Sequence, residues 1–314
     1  MIIFHDPSCL EYSAPNHPER PARIARSVPL LKERHPDWEW GIPKAASEAA
    51  VLRAHSRNHL ERIRNATRDF DADTPVYPKI YEHALRSAGA AIEAAQAALR
   101  GERAFSLMRP PGHHATRDRA MGFCYFNNVA FAALDALAIA PSDDAGRPES
   151  STFAKATADM PSPATTEARV ERVAIWDFDA HHGNGTEAIV AHNPGIAFAS
   201  VHQFPGYPGT GTESVANVAN YPLGPGTPRS YHVEVARRAL DKLVAFKPNL
   251  LLVSAGFDAY ACDPLVQMTL EPDDFSTFGE WLHQLDIPVA TILEGGYSDD
   301  LPELIDTFLT AWQS

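Results

Sequence analysis

The sequence predicts an α/β protein with a doubly wound, mostly parallel sheet and helices on both faces. Short apolar runs alternate with longer segments of helical spacing along most of the chain, and this alternation is typical of parallel sheets covered on both sides. In addition, four of the apolar runs are followed by histidine, aspartate or tyrosine residues. Because open α/β sheets place their sites at the carboxyl ends of strands, this second pattern agrees with the first.

The first half of the chain is predicted to contain two short strands and several helices. An Ala-rich segment at 80–99 has the clearest apolar stripe on one helical face. Residues 48–64 form one or two helices, because His55 and Ser56 interrupt the helical pattern. The predicted strands are residues 2–4 and 105–108, and the predicted helices are residues 22–33, 48–64, 80–99 and 126–140.

The second half repeats the alternation with stronger strand signals. Residues 173–177 are mostly apolar and partly β-branched, which is typical of a buried strand. Asp273 is the predicted N-cap of a helix that reaches Leu285. The other predicted strands are residues 196–201, 250–254 and 289–293, and the other predicted helices are residues 186–192, 231–246 and 301–312.

Residues 141–171 differ from the rest of the chain in composition. Ser, Thr, Pro, Ala and Asp dominate this segment, and large apolar residues are few. Such a segment cannot bury enough apolar surface to offset the entropy lost on ordering. We therefore expect a flexible surface insertion within a single domain spanning residues 1–314, since the same alternation resumes after it.

The overall charge argues against two classes of partner. The chain has 27 Lys and Arg residues against 40 Asp and Glu residues, a net charge of −13, which disfavours nucleic-acid binding and anionic membranes. No run reaches the roughly 18 apolar residues of a transmembrane helix. Cys9, Cys124 and Cys262 lack the spacing of a disulfide framework or zinc knuckle. Since no signal-peptide pattern is visible, we expect a cytoplasmic enzyme or binding protein.

Residues 177–185, with the sequence Asp-Phe-Asp-Ala-His-His-Gly-Asn-Gly, are the most informative stretch. In an extended backbone Asp177, Asp179 and His181 share one side, because side chains alternate along a strand. Two carboxylates and an imidazole crowded together need a cation between them to offset repulsion and desolvation. The alternative interpretation is that these residues cap and brace a strand-to-loop turn.

Residues from separate strand ends complete a candidate metal site. Parallel strands bring Asp179, His181 and Asp258 to one edge of the sheet, and three protein ligands plus a water are the pattern of catalytic zinc. Such an ion acidifies the water and polarises a carbonyl group. The other candidates are His113 and His114 as general base and acid, and Tyr297 as oxyanion donor. Each short motif alone is a weak signal, but their occurrence together at four strand ends favours an enzyme.

Seven motifs resemble the zinc-dependent histone deacetylase superfamily, which includes bacterial acetoin-utilisation proteins and acetylpolyamine amidohydrolases. The resemblance extends from His17 to Tyr297 and leaves out only residues 141–171. It implies an arginase-like, doubly wound α/β fold. The motifs are Pro-Gly-His-His-Ala (111–115), Gly-Phe-Cys-Tyr-Phe-Asn-Asn (122–128), the 177–185 stretch, Ser-Val-His (200–202), Tyr-Pro-Gly-Thr-Gly (207–211), Ser-Ala-Gly-Phe-Asp (254–258) and Glu-Gly-Gly-Tyr (294–297).

The resemblance implies two metal sites. One Zn²⁺ ion, with Fe²⁺ as an alternative, would be held by Asp179, His181 and Asp258. A structural K⁺ ion would be bound at residues whose side-chain or backbone oxygens surround the same strand end. The residues implied for potassium are Asp177, Asp179, His181, Ser200 and Val201.

The resemblance also implies roles for the residues around the metal. His114 would act as the base that activates the attacking water, and His113 would orient or protonate the leaving amine. Asp177 would bond His113 from behind, while Tyr297 would stabilise the oxyanion. Asn184 stands where class II members carry Asn and class I members carry Asp, and a neutral partner should leave the pKa of His114 lower.

Substrate contacts follow from the same resemblance. The Gly122 carbonyl would accept a hydrogen bond from the substrate amide, and Phe123 and Tyr207 would wall a narrow acyl-lysine tunnel. Tyr207 replaces the Phe that is usual at its position. Leu265 is predicted at the rim, where the polyamine-selective eukaryotic branch carries Glu, and an apolar rim favours acyl-lysine over acetylpolyamine.

The sequence therefore predicts a metal-dependent amidohydrolase that removes acetyl or other short acyl groups from lysine side chains. An acetylpolyamine amidohydrolase and a catalytically silent acyl-group-binding relative remain as alternatives. A binuclear manganese ureohydrolase would need further bridging ligands, such as an Asp-x-His-x-Asp run, which the sequence lacks. The expected partner is an acylated lysine peptide or protein, or an acetylated polyamine, and the oligomeric state is left open.

Overall fold

A computed structural model describes residues 1–138 and 169–314. The strands within them are β1 (Ile2–Phe4), β2 (Glu39–Gly41), β3 (Ala104–Ser106), β4 (Val173–Asp177), β5 (Ile196–Gln203), β6 (Val218–Leu223), β7 (Leu250–Ala255) and β8 (Val289–Leu293). They form one eight-stranded sheet in the order β2-β1-β3-β8-β7-β4-β5-β6. All the strand pairings of this sheet are parallel, which confirms the predicted class.

Helices cover both faces of this sheet. They are α1 (Ala22–Ala25), α2 (Ser27–Arg34), α3 (Glu48–Ala54), α4 (Arg57–Arg64), α5 (Ile80–Leu99), α6 (Asn128–Ala138), α7 (Asn184–Val190), α8 (Arg229–Ala245), α9 (Pro272–His283) and α10 (Leu301–Gln313). All five side chains of β4 are buried, and successive strand side chains point to opposite faces. Both faces of the central sheet must therefore be packed.

The helices pack in pairs against the strands. α5 lies against α6 and contacts β3 and β8, whereas α9 packs mainly against α10 and α8 contacts β4 and β5. α5 begins and ends where the sequence predicts. None of the described helices is long and apolar enough to cross a bilayer.

Several predicted boundaries differ from the structure. The sequence does not predict β2 or β6, because β2 has only three residues and β6 contains a proline, which weakens a strand signal and is tolerated at a sheet edge. The predicted helix at 22–33 is divided into α1 and α2. The helix predicted from 126 begins at Asn128, because the side chain of Asn127 accepts a hydrogen bond from the Ala130 backbone.

The prediction that Asp273 caps α9 is wrong. The helix begins at Pro272, whose fixed φ suits the first helical position, and Glu271 is the N-cap. Glu271 and Asp274 form a capping box by exchanging side-chain and backbone hydrogen bonds. The predicted insertion at 141–171 lies outside the described residues except for residues 169–171.

Candidate active site

The candidate site lies where four adjacent strands end. β3, β8, β7 and β4 are consecutive neighbours in the sheet, and parallel strands present their carboxyl ends at one edge. The loop after each of these strands carries predicted site residues. These are His113 and His114 after β3, Tyr297 after β8, Asp258 after β7, and Asp179 and His181 after β4.

Asp179, His181 and Asp258 converge as one candidate metal-binding group. One ligand atom from each lies within 4.8 Å of the others, and His181 Nδ1 is 2.8 Å from an Asp258 oxygen and 3.1 Å from an Asp179 oxygen. Tetrahedral ligands at the zinc distances of about 2.0–2.2 Å lie about 3.3 Å apart. The other oxygens accept hydrogen bonds from backbone N–H groups of Gly295 and Ala180. The carboxylates are therefore oriented toward a shared centre.

The electrostatics of this group also fit a divalent cation. Asp179 and Asp258 are fully buried, and two buried carboxylates need compensating positive charge. Although burial opposes it, the charges of these carboxylates raise the pKa of His181 well above its usual range. A Cβ at Gly295 would lie 2.2 Å from an Asp258 oxygen, so the close approach of this loop requires glycine.

The tandem histidines differ in their hydrogen-bond partners and in the direction of their pKa shifts. His113 Nδ1 donates to Asp177 Oδ2 at 3.0 Å, and although burial opposes it, Asp179 and Asp177 raise the pKa of His113 to about 10. His114 Nδ1 donates to Asn184 Oδ1 at 2.8 Å. Burial and the neighbouring His113 lower the pKa of His114 well below its usual value. The two rings thus have different partners, a buried carboxylate for His113 and a neutral amide for His114, and such a difference in environment is how a site separates an acid from a base.

Tyr207 packs against His114, and Phe123 packs against Tyr297. The rings of Phe123 and Tyr297 are 5.8 Å apart, and the rings of Tyr207 and His114 are 5.1 Å apart at 87°. A Cβ at Gly122, whose φ is +56°, would lie 2.5 Å from the His114 ring. Burial raises the pKa of Tyr297 well above its usual range. Its hydroxyl therefore keeps its proton, so that a proton is available for a hydrogen bond.

The residues implied for potassium lie at the end of β4, in the loop that follows it and on the neighbouring strand β5. Asp177 is paired in register with Ser200, and Val201 follows on the same strand. The Asp177 oxygens accept hydrogen bonds from His113 and from the Asp179 backbone. The side chains are therefore engaged within the protein, and a potassium ion there remains a prediction.

Leu265 lies on the loop that follows Asp258. Its side chain is 41% exposed, and its backbone N–H donates to Asp263 Oδ1 at 2.9 Å. The other oxygen of Asp263 accepts the Tyr297 backbone N–H at 2.7 Å. Asp263 therefore joins this loop to the tyrosine loop, a role that the sequence alone does not predict.

A buried charge network also escapes prediction from the sequence. Glu19 pairs with the fully buried Arg109 and with Arg23, whose Nη1 is 3.3 Å from Glu19 Oε1. Arg23 also donates to the Gly296 carbonyl at 2.7 Å and lies 4.6 Å above the Tyr297 ring. These charged residues occur in Pro-rich segments, and such a composition is typical of surface loops. In the sequence, only their spacing within motifs indicates that they are buried.

Comparisons with known proteins agree with this geometry. The sequence profile described as "Histone deacetylase domain" matches residues 17–141 and 162–311. An uncharacterised protein of Synechocystis sp. is 38% identical over 96% of this chain and 95% of its own length. A probable deacetylase of Methanothermobacter thermautotrophicus is 32% identical over 96% of this chain and 86% of its own length.

The fold is also shared with a solved structure. Acetylpolyamine aminohydrolase from Burkholderia pseudomallei superposes with a TM-score of 0.83 and 25% sequence identity, covering 100% of this chain and 99% of that one. The sequence profile, the full-length relatives and the parallel fold lead to the same assignment. The chain belongs to the histone deacetylase family.

Proposed function

We propose that the protein is a metal-dependent hydrolase that removes acetyl or other short acyl groups from lysine side chains. The observation that carries this proposal is the convergence of Asp179, His181 and Asp258 beside a neutral His114. Two carboxylates and one imidazole are ligands suited to Zn²⁺, with Fe²⁺ as the alternative. As a member of this family, the chain is a hydrolase of amide bonds.

The histidines provide the proton transfers. An ion held by Asp179, His181 and Asp258 would supply Lewis-acid chemistry, lowering the pKa of a bound water molecule and polarising the substrate carbonyl. His114 accepts the proton through Nε2, because its Nδ1–H is directed to Asn184. His113, bonded through Nδ1 to the buried Asp177 carboxylate, orients the leaving amine or protonates it. Proton transfer by such positioned groups contributes about 10²–10⁴-fold to rate.

The substrate is held by residues of three loops. The Tyr297 hydroxyl donates to the carbonyl oxygen as negative charge develops there. The Gly122 carbonyl accepts the substrate amide N–H, and the rings of Phe123 and Tyr207 wall the channel for the aliphatic chain. The Tyr207 ring contacts the His114 ring, and the Phe123 ring contacts the Tyr297 ring. Gly122, next to Phe123, lies against the His114 ring.

We also propose that residues 1–314 form one catalytic domain and that a K⁺ ion stabilises the end of β4 and the adjoining part of β5. The ion would be bound at Asp177, Asp179, His181, Ser200 and Val201. The potassium site is supported by the parallel pairing that places Asp177 opposite Ser200.

Acetylpolyamine hydrolysis is the second candidate function. It is favoured by the similarity to the Burkholderia enzyme, whose name states that substrate class. Acyl-lysine is favoured by the exposed, apolar side chain of Leu265, because it offers no carboxylate to a second ammonium group.

The test is turnover of acyl-lysine peptides and acetylpolyamines by protein reconstituted with Zn²⁺ or Fe²⁺. Activity should require the ion, and Asp258→Ala should lose both bound metal and activity, because two remaining ligands do not hold an open site. Asp241→Ala is the matched control, since Asp241 is an exposed carboxylate on α8. Unchanged turnover by metal-free protein would overturn the proposal.

A further inference from the structure

Glu294 is a fully buried carboxylate at the end of β8. Its Oε2 accepts hydrogen bonds from the backbone N–H groups of Gly112 at 2.6 Å and His113 at 3.1 Å. Its Oε1 accepts a longer bond of 3.3 Å from Ser254 Oγ. Glu294 thus contacts the histidine loop directly from the position that follows β8, and the hydrogen-bond partners of its carboxylate within the described residues are Gly112, His113 and Ser254.

The peptide groups around His113 are held from both sides. While its N–H is bonded to Glu294, its carbonyl accepts from the backbone N–H groups of Gly185 at 3.0 Å and Thr186 at 3.1 Å. These two donors belong to the first turn of α7, which starts with Asn184, the partner of His114. The position of the tandem histidines is therefore defined by α7 on one side and by Glu294 on the other.

The loop that follows Glu294 is itself tied to the candidate metal site. The Gly295 N–H donates to Asp179 Oδ2 at 2.7 Å, and the Glu294 carbonyl accepts from the Arg23 guanidinium. One short segment therefore connects a metal-ligating carboxylate with the histidine loop and leads directly into Tyr297. A shift of about 1 Å between reacting groups is enough to lower a rate about 10²-fold.

We propose that Glu294 is a positioning residue. Its carboxylate sets the distance from the His113–His114 pair to the metal-ligating carboxylate of Asp179 and to Tyr297. The proposal rests on the proposed amide hydrolysis, because it assigns these histidines the proton transfers. Glu294 itself acts only through the backbone of Gly112 and His113.

Two substitutions of similar length separate positioning from burial. Glu294→Gln keeps an acceptor for both backbone N–H groups, and its amide can donate to Ser254 Oγ. Glu294→Met fills the same space but leaves both N–H groups without a carboxylate. We expect kcat within about threefold of wild type for the Gln variant, and a fall of about 10² for the Met variant with KM and metal content nearly unchanged.

Residue-resolved amide hydrogen exchange gives a readout that does not depend on activity. The Gly112 and His113 amides should exchange at least about tenfold faster in the Met variant than in the Gln variant, while strand amides of β7 stay protected. Full kcat in Glu294→Met, or equal losses in both variants, would overturn the proposal. If wild-type protein hydrolyses none of the substrates, the proposed function is refuted. Equal exchange of the Gly112 and His113 amides in wild type and both variants would separately refute the positioning role of Glu294.

Discussion

Substitution of Glu19 by Gln should destabilise the protein far more than a similar change at the surface. Glu19 Oε2 is 2.7 Å from Arg109 Nη2, and neither side chain is more than 3% exposed. In Glu19→Gln one carboxylate oxygen becomes an NH₂ group that faces guanidinium donors. The Arg109 charge then stays buried without its anion.

The expected loss is about 3 kcal/mol, the lower end of the roughly 3–5 kcal/mol for breaking a buried ion pair, because Arg109 keeps the Cys9 carbonyl at 2.7 Å as an acceptor. The chain has 314 residues, and at about 2.1 cal/mol/K of unfolding entropy per residue 1 kcal/mol corresponds to about 1.5 °C, so the melting temperature should fall by roughly 4–5 °C. The matched control is Asp241→Asn, which breaks an exposed pair with Arg237 and should cost only about 0.3–0.5 kcal/mol. Denaturant titrations of wild type, Glu19→Gln and Asp241→Asn measure the two losses of unfolding free energy.

The pH dependence adds a second check. Although burial opposes it, Arg109 and Arg23 lower the pKa of Glu19. Its stabilising contribution is therefore complete above the unfolded-state pKa of about 4.3 and is lost as pH falls through the lower folded-state pKa. The difference between wild type and Glu19→Gln should stay constant from pH 7 to 5 and shrink below about pH 4. A loss for Glu19→Gln no larger than that for Asp241→Asn would refute the reasoning.

Three further predictions concern pH, catalysis and specificity. Burial, with a smaller effect of His59, lowers the pKa of His55 to about 3, so the stabilising contribution of His55 is present above about pH 6.5 and decreases toward pH 3. Between pH 7 and pH 5, the unfolding free energy of wild type should fall by about 2 kcal/mol more than that of His55→Gln in denaturant titrations. Tyr297→Phe should lower kcat by about 10²–10³ in steady-state assays with metal retained. Leu265→Glu should shift relative kcat/KM toward acetylspermidine by about tenfold.

Each of these predictions has a contradicting outcome. Parallel pH profiles for wild type and His55→Gln would show that another group controls acid stability. Near-wild-type kcat for Tyr297→Phe would assign the oxyanion to a different donor. A wild-type enzyme that already prefers acetylpolyamines over every acyl-lysine peptide would show that Leu265 does not set specificity.

The family and the main elements of the site can be predicted from the sequence because they depend on local patterns. Strand periodicity identifies the ends of β3, β4, β7 and β8, and each end carries its motif within a few residues. Since parallel strands share one carboxyl edge, these motifs are expected to meet. The convergence of Asp179, His181 and Asp258 is consistent with this argument, whereas the roles of individual residues stay predictions.

Only the tertiary structure decides which polar residues support that site. Glu19, Arg109 and Glu294 are charged residues next to prolines or glycines, and a local pattern does not distinguish a buried ion from a solvated one. Their burial is stabilised by partners far away in the sequence, such as the Gly112 and His113 amides for Glu294. Burying a charge is favourable only when such partners are in place. The sequence therefore determines the chemical groups of the site, and the packed loops determine what holds them.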